Sequence, residues 1–237
     1  MIGRLDLFCQ EKNLSHGFAS KAYGNFSLKN NGDNFRLLAK DLNLLNYPLI
    51  QAEQIHSDNI ALIKNNDQPL KPKVDGLITK EFGLVLAIRT ADCLPIIYYE
   101  RKKKIIGAVH AGWRGLLKNL PGKMVQYIKQ QGGQTDNIIV GIGPHVGSCC
   151  YQVGEELPKL FIKKQPNLKN FSLKQNNKHY LNLLTICQQQ LEKEGIKKTN
   201  LARFPACTAC QNQHWWSYRQ EGKSCGSMLT VICQKDD

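Results

Sequence analysis

The 237-residue sequence predicts an α+β fold in a single domain spanning 1–237, on three observations. Short apolar runs rich in β-branched residues recur along the chain, the pattern of buried or half-buried strands. A few segments carry the spacing of amphipathic helices, and they mix with hairpin-like strands instead of alternating regularly with them, which favours helices packed on a mixed sheet over a βαβ succession. No internal repeat or low-complexity linker divides the chain, and its length suits one large domain.

After an N-terminal region that ends near Tyr47, strands are predicted at 48–51, 60–63, 76–79 and 84–88. The runs 95–99 and 105–110 read as a hairpin whose tip is the basic cluster Arg101, Lys102, Lys103 and Lys104, and a further strand is predicted at 138–142. Leu116, Leu117, Leu120, Met124, Val125 and Ile128 fall at helical spacing over 116–131. Gly132 and Gly133 end that helix, and Pro121 should kink it or start a second one. A helix over 181–194 runs up to Gly195, and a strand over 228–233 closes the chain.

With 42% hydrophobic and 8% aromatic residues the chain can bury an ordinary core. It has no run of the roughly 18–20 apolar residues that a membrane-spanning helix needs, and its N-terminus lacks a signal-peptide pattern, so a cytoplasmic location is expected. The net charge of +13 favours anionic partners. Scattered lysines argue against a dedicated nucleic-acid surface and leave phosphate-bearing small molecules. Neither Gly-x-Gly-x-x-Gly nor a phosphate-loop motif is present. Nine cysteines, an odd count without a signal peptide, are expected to be reduced.

The segment from Leu84 to Leu120 carries the residues best suited to chemistry. A hairpin of 95–100 against 104–110, turning near Lys102, pairs residue 110 with residue 94, so Cys93 falls within one residue of facing His110 unless a bulge shifts the register. A thiolate and an imidazole so close suit a metal site or a Cys-His nucleophilic pair. His56, at a similar boundary between apolar runs, is the natural third member, because one thiolate, two imidazoles and an open position make a catalytic zinc arrangement. A hydrogen-bonded strand-end role for His56 and simple packing for Cys93 remain alternatives, although the neighbouring carboxylate of Asp92 is odd core design. Gly112 and Gly115 flank Trp113-Arg114, implying close backbone approach at a helix N-terminus, where Arg114 could clamp a phosphate or cover Trp113.

Cys207 and Cys210 could form half a zinc knuckle, but no second Cys or His pair at matching spacing completes it, with Cys225 and His214 nearest in sequence. These two cysteines, like Cys149 and Cys150, are therefore expected to pack turns. Trp215, Trp216 and Tyr218 fit strand positions in a core or a surface that stacks a purine. The His-x-Glu and Pro-Cys-x-x-Cys deaminase pattern is absent, since Ala206 separates Pro205 from Cys207.

The blocks QIHS (54–57), VDGLIT (74–79), TADCLP (90–95), HAGWRG (110–115), GIGPHVGSCCYQVG (141–154), CTAC (207–210) and WSYRQEG (216–222) resemble, in order, the signatures of the bacterial laccase-domain family, also called multicopper polyphenol oxidase-like and regarded as purine nucleoside phosphorylases. The resemblance implies a layered α/β/β/α sandwich with mixed sheets and a zinc ion held by His56, Cys93 and His110. It implies phosphorolysis of adenosine, inosine and methylthioadenosine with inorganic phosphate, and deamination of adenosine as a second activity. Lys21 stands where the family has Arg, and Gly226-Ser227-Met228 stands where it often has Gly-Arg-Met. Lys21, Arg114 and Arg219 are the candidate phosphate holders, with Gln54 and Asp75 as further substrate-binding candidates. Asp92 joins the three ligands as a catalytic candidate; it or Asp75 would handle a proton or orient ligands.

Other classes remain open: a metal-free Cys93–His110 hydrolase or deamidase, a copper polyphenol oxidase, and a basic nucleic-acid-binding protein. Blue-copper chemistry wants a weak axial ligand such as Met, for which only Met1, Met124 and Met228 are available. The expected state is a monomer or weak homo-oligomer.

Overall fold

The computed structural model describes residues 1–27, 31–64 and 72–236. In chain order its first half contains β1 (Ile2–Gly3), α1 (Asp6–Cys9), β2 (Leu14–Ala19), α2 (Asn31–Leu42), β3 (Leu49–Gln51), β4 (Ile60–Ile63), β5 (Gly76–Thr79), β6 (Val85–Thr90), β7 (Leu94–Glu100) and β8 (Ile105–Ala111). There follow α3 (Trp113–Leu117), α4 (Leu120–Gln130), β9 (Ile138–Ile142), β10 (Gln152–Val153), α5 (Glu156–Lys164), β11 (Ser172–Gln175) and β12 (Lys178–Leu181). The chain ends with α6 (Leu183–Lys193), β13 (Leu201–Arg203), α7 (Tyr218–Glu221) and β14 (Met228–Gln234).

The apolar runs are continuous because their strands are covered on both faces. A five-stranded sheet has the order β1-β2-β14-β6-β3 and a six-stranded sheet the order β13-β9-β7-β8-β5-β4. Alternate residues of β7 and β8 divide between two cores: Leu94, Ile96, Tyr98, Ile105 and Val109 meet the helices α3, α4, α5 and α6, while Ile97, Tyr99, Ile106 and Ala108 meet the other sheet. On the five-stranded sheet Leu86, Ile88 and Ile232 face the six-stranded one, and Val85, Ala87, Leu229 and Val231 face α2. The layer order is thus helix, sheet, sheet, helices, the α/β/β/α sandwich expected from the resemblance. β10, β12 and β11 make a small antiparallel sheet beside it. Among the described residues, no helix is long and apolar enough to cross a membrane.

Strands 60–63, 76–79 and 138–142 form as predicted. The hairpin forms one residue out of the expected register: His110 pairs with Pro95, and Leu94 with Ala111. The reason lies in the turn, where Lys104 leaves the strand and takes a left-handed backbone (φ 58°) while the Lys103 N–H is held by the Glu100 carboxylate. Pro121 starts a second helix, α4, after Asn119 breaks the chain direction at φ 58°. Asn182 caps α6 through a bond from the Thr185 N–H at 3.0 Å. The strand β2 lies in the N-terminal region where none is predicted. Its sequence LSHGFA is fully buried, but Ser15, His16 and Gly17 interrupt the apolar pattern, and its partner β14 lies at the far end of the chain.

His16 is built into this strand as a neutral base, its Nε2 accepting the Leu5 N–H at 2.9 Å. Burial, aided by the charge of Arg4, lowers its pKa from 6.5 to about 4. Above pH 6.5 folded and unfolded chains both hold it neutral. As the pH falls from there towards 4 the unfolded chain takes up a proton that the folded one refuses, so stability drops by about 3 kcal/mol in total. Replacing His16 by Gln should flatten this limb of a stability-versus-pH curve measured by urea unfolding; an unchanged slope between pH 6.5 and 4 would contradict the assignment.

Candidate functional site

Cys93 sits on the short connection that carries the chain from β6 in one sheet to β7 in the other. The second crossing between the same sheets, from β3 to β4, carries Gln54 and His56. The site therefore lies at the corner where the sheets part, and His110 reaches it from near the end of β8. Sulfur and imidazole nitrogens of His56, Cys93 and His110 approach within 4.8 Å of one another, and the two imidazole rings meet edge to face at 4.8 Å. Together these residues can hold a metal ion. A Cβ on Gly112 would stand 2.9 Å from the Cys93 sulfur and 3.3 Å from His56 Cδ2, so the close approach inferred at this glycine is towards two members of the trio themselves.

Asp75 organises the trio from behind. Its fully buried carboxylate accepts from His110 Nδ1 at 2.8 Å, from the backbone N–H of His56 at 3.1 Å, and from the N–H and hydroxyl of Ser57 at 2.5 and 2.7 Å. The bond to Nδ1 leaves Nε2 of His110 free to face the thiolate or a metal, the arrangement by which a carboxylate fixes the tautomer of a ligating histidine. Burial alone would raise the carboxyl pKa, but the bonds from His110 and Ser57 hold it below the usual value. Burial likewise opposes charge on the Cys93 thiol, yet the charge of His110 and hydrogen bonds from both histidines bring it down to about 6. Despite its own burial, His110 is pushed up to about 9 by the Cys93 thiolate and the Asp75 bond.

Asp92 is held at φ 82°, where a non-glycine residue needs outside support. Both of its oxygens are taken: Oδ1 by the hydroxyls of Thr208 (2.6 Å) and Ser217 (2.7 Å), Oδ2 by the Arg219 N–H (2.6 Å). Its carbonyl accepts from the Val146 N–H at 3.0 Å. Gln54 makes a two-way amide bridge with the backbone of Arg89, at 2.7 and 2.8 Å, which ties the His56 loop to β6.

A cavity of about 960 Å³ opens above the trio. Arg114 and Arg219 line it, the first stacked on Trp113 at 4.4 Å, the second bonded to the Gln152 carbonyl and lying over Tyr151. Lys21 does not line it; its ammonium pairs with Glu221 and lies over the Trp216 ring at 4.5 Å. Trp215 is buried between the sheets and Trp216 binds the Gly24 carbonyl, so of that aromatic group only Tyr218 lines the cavity. The sequence reading missed several lining residues, Thr90, Tyr151 and Arg89 among them. Tyr151 adds a ring beside Tyr218, and Arg89, half-buried, faces no carboxylate among the described residues. Its signal was available: a charge inside the apolar run LVLAIRT.

A thiolate and two imidazoles able to hold a metal ion lie beneath a cavity lined by Arg89, Arg114 and Arg219, a concave polar site of the kind enzymes of small polar substrates use. The chain belongs to the multi-copper polyphenol oxidoreductase laccase family, which it matches over residues 26–235. A purine nucleoside phosphorylase of Clostridium acetobutylicum is 32% identical over 214 residues, covering 89% of this chain and 86% of its own. An adenosine deaminase from an unknown prokaryotic organism is 28% identical over 197 residues, covering 79% and 75%. The crystal structure of YlmD from Geobacillus stearothermophilus superposes with a TM-score of 0.89 at 26% identity, over 97% of this chain and 94% of that one.

Asp75→Asn should keep the size of the side chain but weaken its grip on His110. Zinc affinity measured against a competing chelator is expected to fall on the order of 10- to 100-fold; wild-type affinity would show that the tautomer is set elsewhere.

Proposed function

We propose that the chain is a cytoplasmic, single-domain purine nucleoside phosphorylase that uses zinc, cleaving adenosine, inosine and methylthioadenosine with phosphate and deaminating adenosine as a second activity. The observation that carries this reading is the pairing of a His56–Cys93–His110 donor set with a cavity lined by three arginines, Arg89, Arg114 and Arg219. Relatives named for both activities support it. Two imidazoles and a thiolate fit zinc with one position left for a reactant. Copper fits less well, because no Met lines the cavity among the described residues to act as a weak axial ligand. When bound, the metal supplies a Lewis acid at the cavity floor.

The protein's own residues account for the rest. In phosphorolysis the bond from sugar C1′ to the purine nitrogen breaks as a phosphate oxygen bonds to C1′, through a cation-like sugar. Arg89, Arg114 and Arg219 place positive charge where phosphate must be held, and their guanidinium forks suit its oxygens. The Thr90 hydroxyl, buried on the cavity wall without a partner among the described residues, offers a further polar contact. Tyr151 and Tyr218 present ring surface for the base. Asp75 keeps the Nδ1 proton of His110 in place. With both oxygens occupied, Asp92 acts as a positioning residue, fixing Cys93 and the backbone at Arg219. Lys21, paired with Glu221 and lying over the Trp216 ring, stands outside the cavity.

Incubating purified protein with adenosine should release adenine and ribose 1-phosphate only when phosphate is present, and Cys93→Ala should lose that activity together with its metal. Arg89→Gln should raise KM for phosphate about 10-fold or more while leaving metal content unchanged, in line with loss of a charged hydrogen bond. A wild type that leaves adenosine untouched, or a Cys93→Ala protein that still cleaves it, would overturn the reading.

A further inference from the structure

Four cysteines outside the cavity come together from two distant parts of the chain. Cys149 and Cys150 lie in the turn after β9, and Cys207 and Cys210 in the turn after β13. The two turns meet because β9 and β13 pair in parallel and the chain continues side by side beyond them, through a bridge between His145 and Cys207. All four sulfurs lie within 4.8 Å of one another, with Cys210 at 3.4 Å from Cys149 and 3.3 Å from Cys150.

Packing does not account for this group. A cysteine that serves as a small apolar filler is buried, whereas Cys149 and Cys210 are exposed. Disulfide bonding does not account for it either, since every sulfur is unpaired and a bond needs a separation of about 2.05 Å. Four ligands at about 2.3 Å from a tetrahedral zinc would place sulfurs about 3.8 Å apart, inside the observed spread. The Cys207 sulfur also accepts backbone N–H bonds, from Gly147 at 3.1 Å and from Cys210. Such donors stabilise a thiolate. Gly147 is small for a reason: a Cβ there would press on both Cys149 and Cys207.

We propose that Cys149, Cys150, Cys207 and Cys210 form a structural zinc site, separate from the His56–Cys93–His110 centre, that clamps the two turns together. Binding replaces four S–H protons, released to solvent, with four Zn–S bonds, and leaves no open position for a reactant. The clamp acts on the cavity walls. Tyr151 follows Cys150 directly, and Thr208, between Cys207 and Cys210, donates to Asp92 beside Cys93. The spacing of the ligands explains why the sequence conceals the site: Cys207 and Cys210 have knuckle spacing, but their partners Cys149 and Cys150 are adjacent residues about 60 positions earlier, where packing of a turn was expected.

The test is elemental analysis of full-length, tag-free protein purified without chelator. Wild type should carry two zinc ions per chain, His56→Ala one, and Cys210→Ser one. To keep the test independent of how well Cys210→Ser folds, the His56→Ala protein is also titrated with an organomercurial. Its remaining zinc should leave as those thiols are modified, and cobalt in its place should show the strong charge-transfer absorption of a tetrahedral tetrathiolate. A zinc-free His56→Ala protein, or native protein with a disulfide between any two of the four cysteines, would overturn the proposal. A single zinc that survives His56→Ala but not Cys210→Ser would support it while removing the metal from the proposed phosphorylase centre.

Discussion

A carboxylate with no access to water must be satisfied by the protein, and the donors that satisfy Asp75 come from the loop carrying His56 and from the His110 ring. The loop of His56 wraps onto it through backbone N–H groups, and His110 is pinned by its ring. This one buried charge therefore fixes the position of one imidazole and the tautomer of the other. Removing a partner from such a group costs more than the mean hydrogen bond contributes, because the remaining charge stays buried. The geometry of the centre is in this sense set before any metal binds.

The two sheets supply the place where that organisation can happen. Chain crossings from one sheet to the other leave a corner at which strand ends, not strand faces, meet, so side chains there are free of the core. Asp92 braces the crossing from β6 to β7. It holds a left-handed backbone beside Cys93 and gathers donors from the 208–219 region. The arginines rim the cavity formed by these loops, while the proposed four-cysteine clamp would join the same loops farther out. The segment from Thr208 to Arg219 is thus tied to the Cys93 crossing through the Asp92 carboxylate.

Much of this was legible in the sequence where local chemistry decides the outcome. The central strands are β-branched runs because both faces are buried. His110 and Cys93 could be brought together from hairpin pairing, with an error of one residue caused by the left-handed Lys104. Long-range closure was not legible. β2 was hidden by His16 and Gly17 and by a partner at the other terminus, and the four-cysteine group depends on parallel pairing of β9 with β13. Arg89 carried a readable signal, a charge within an apolar strand. Tyr151 carried none, since nothing local distinguishes a tyrosine at a cavity mouth from one in a core. The roles of Trp215 and Tyr218 were separable only by the fold, which buries one and exposes the other.

The claim on which the account rests is that His56, Cys93 and His110 act as a single metal centre. A crystal structure of protein purified without chelator, with anomalous data collected on both sides of the zinc absorption edge, tests it most directly. The account predicts a zinc peak about 2.3 Å from the Cys93 sulfur and about 2.0–2.1 Å from an imidazole nitrogen of each histidine, with Asp75 still bound to His110 Nδ1. A map with no metal at these three residues, or one in which His56 points away while Cys93 and His110 remain paired, would contradict it.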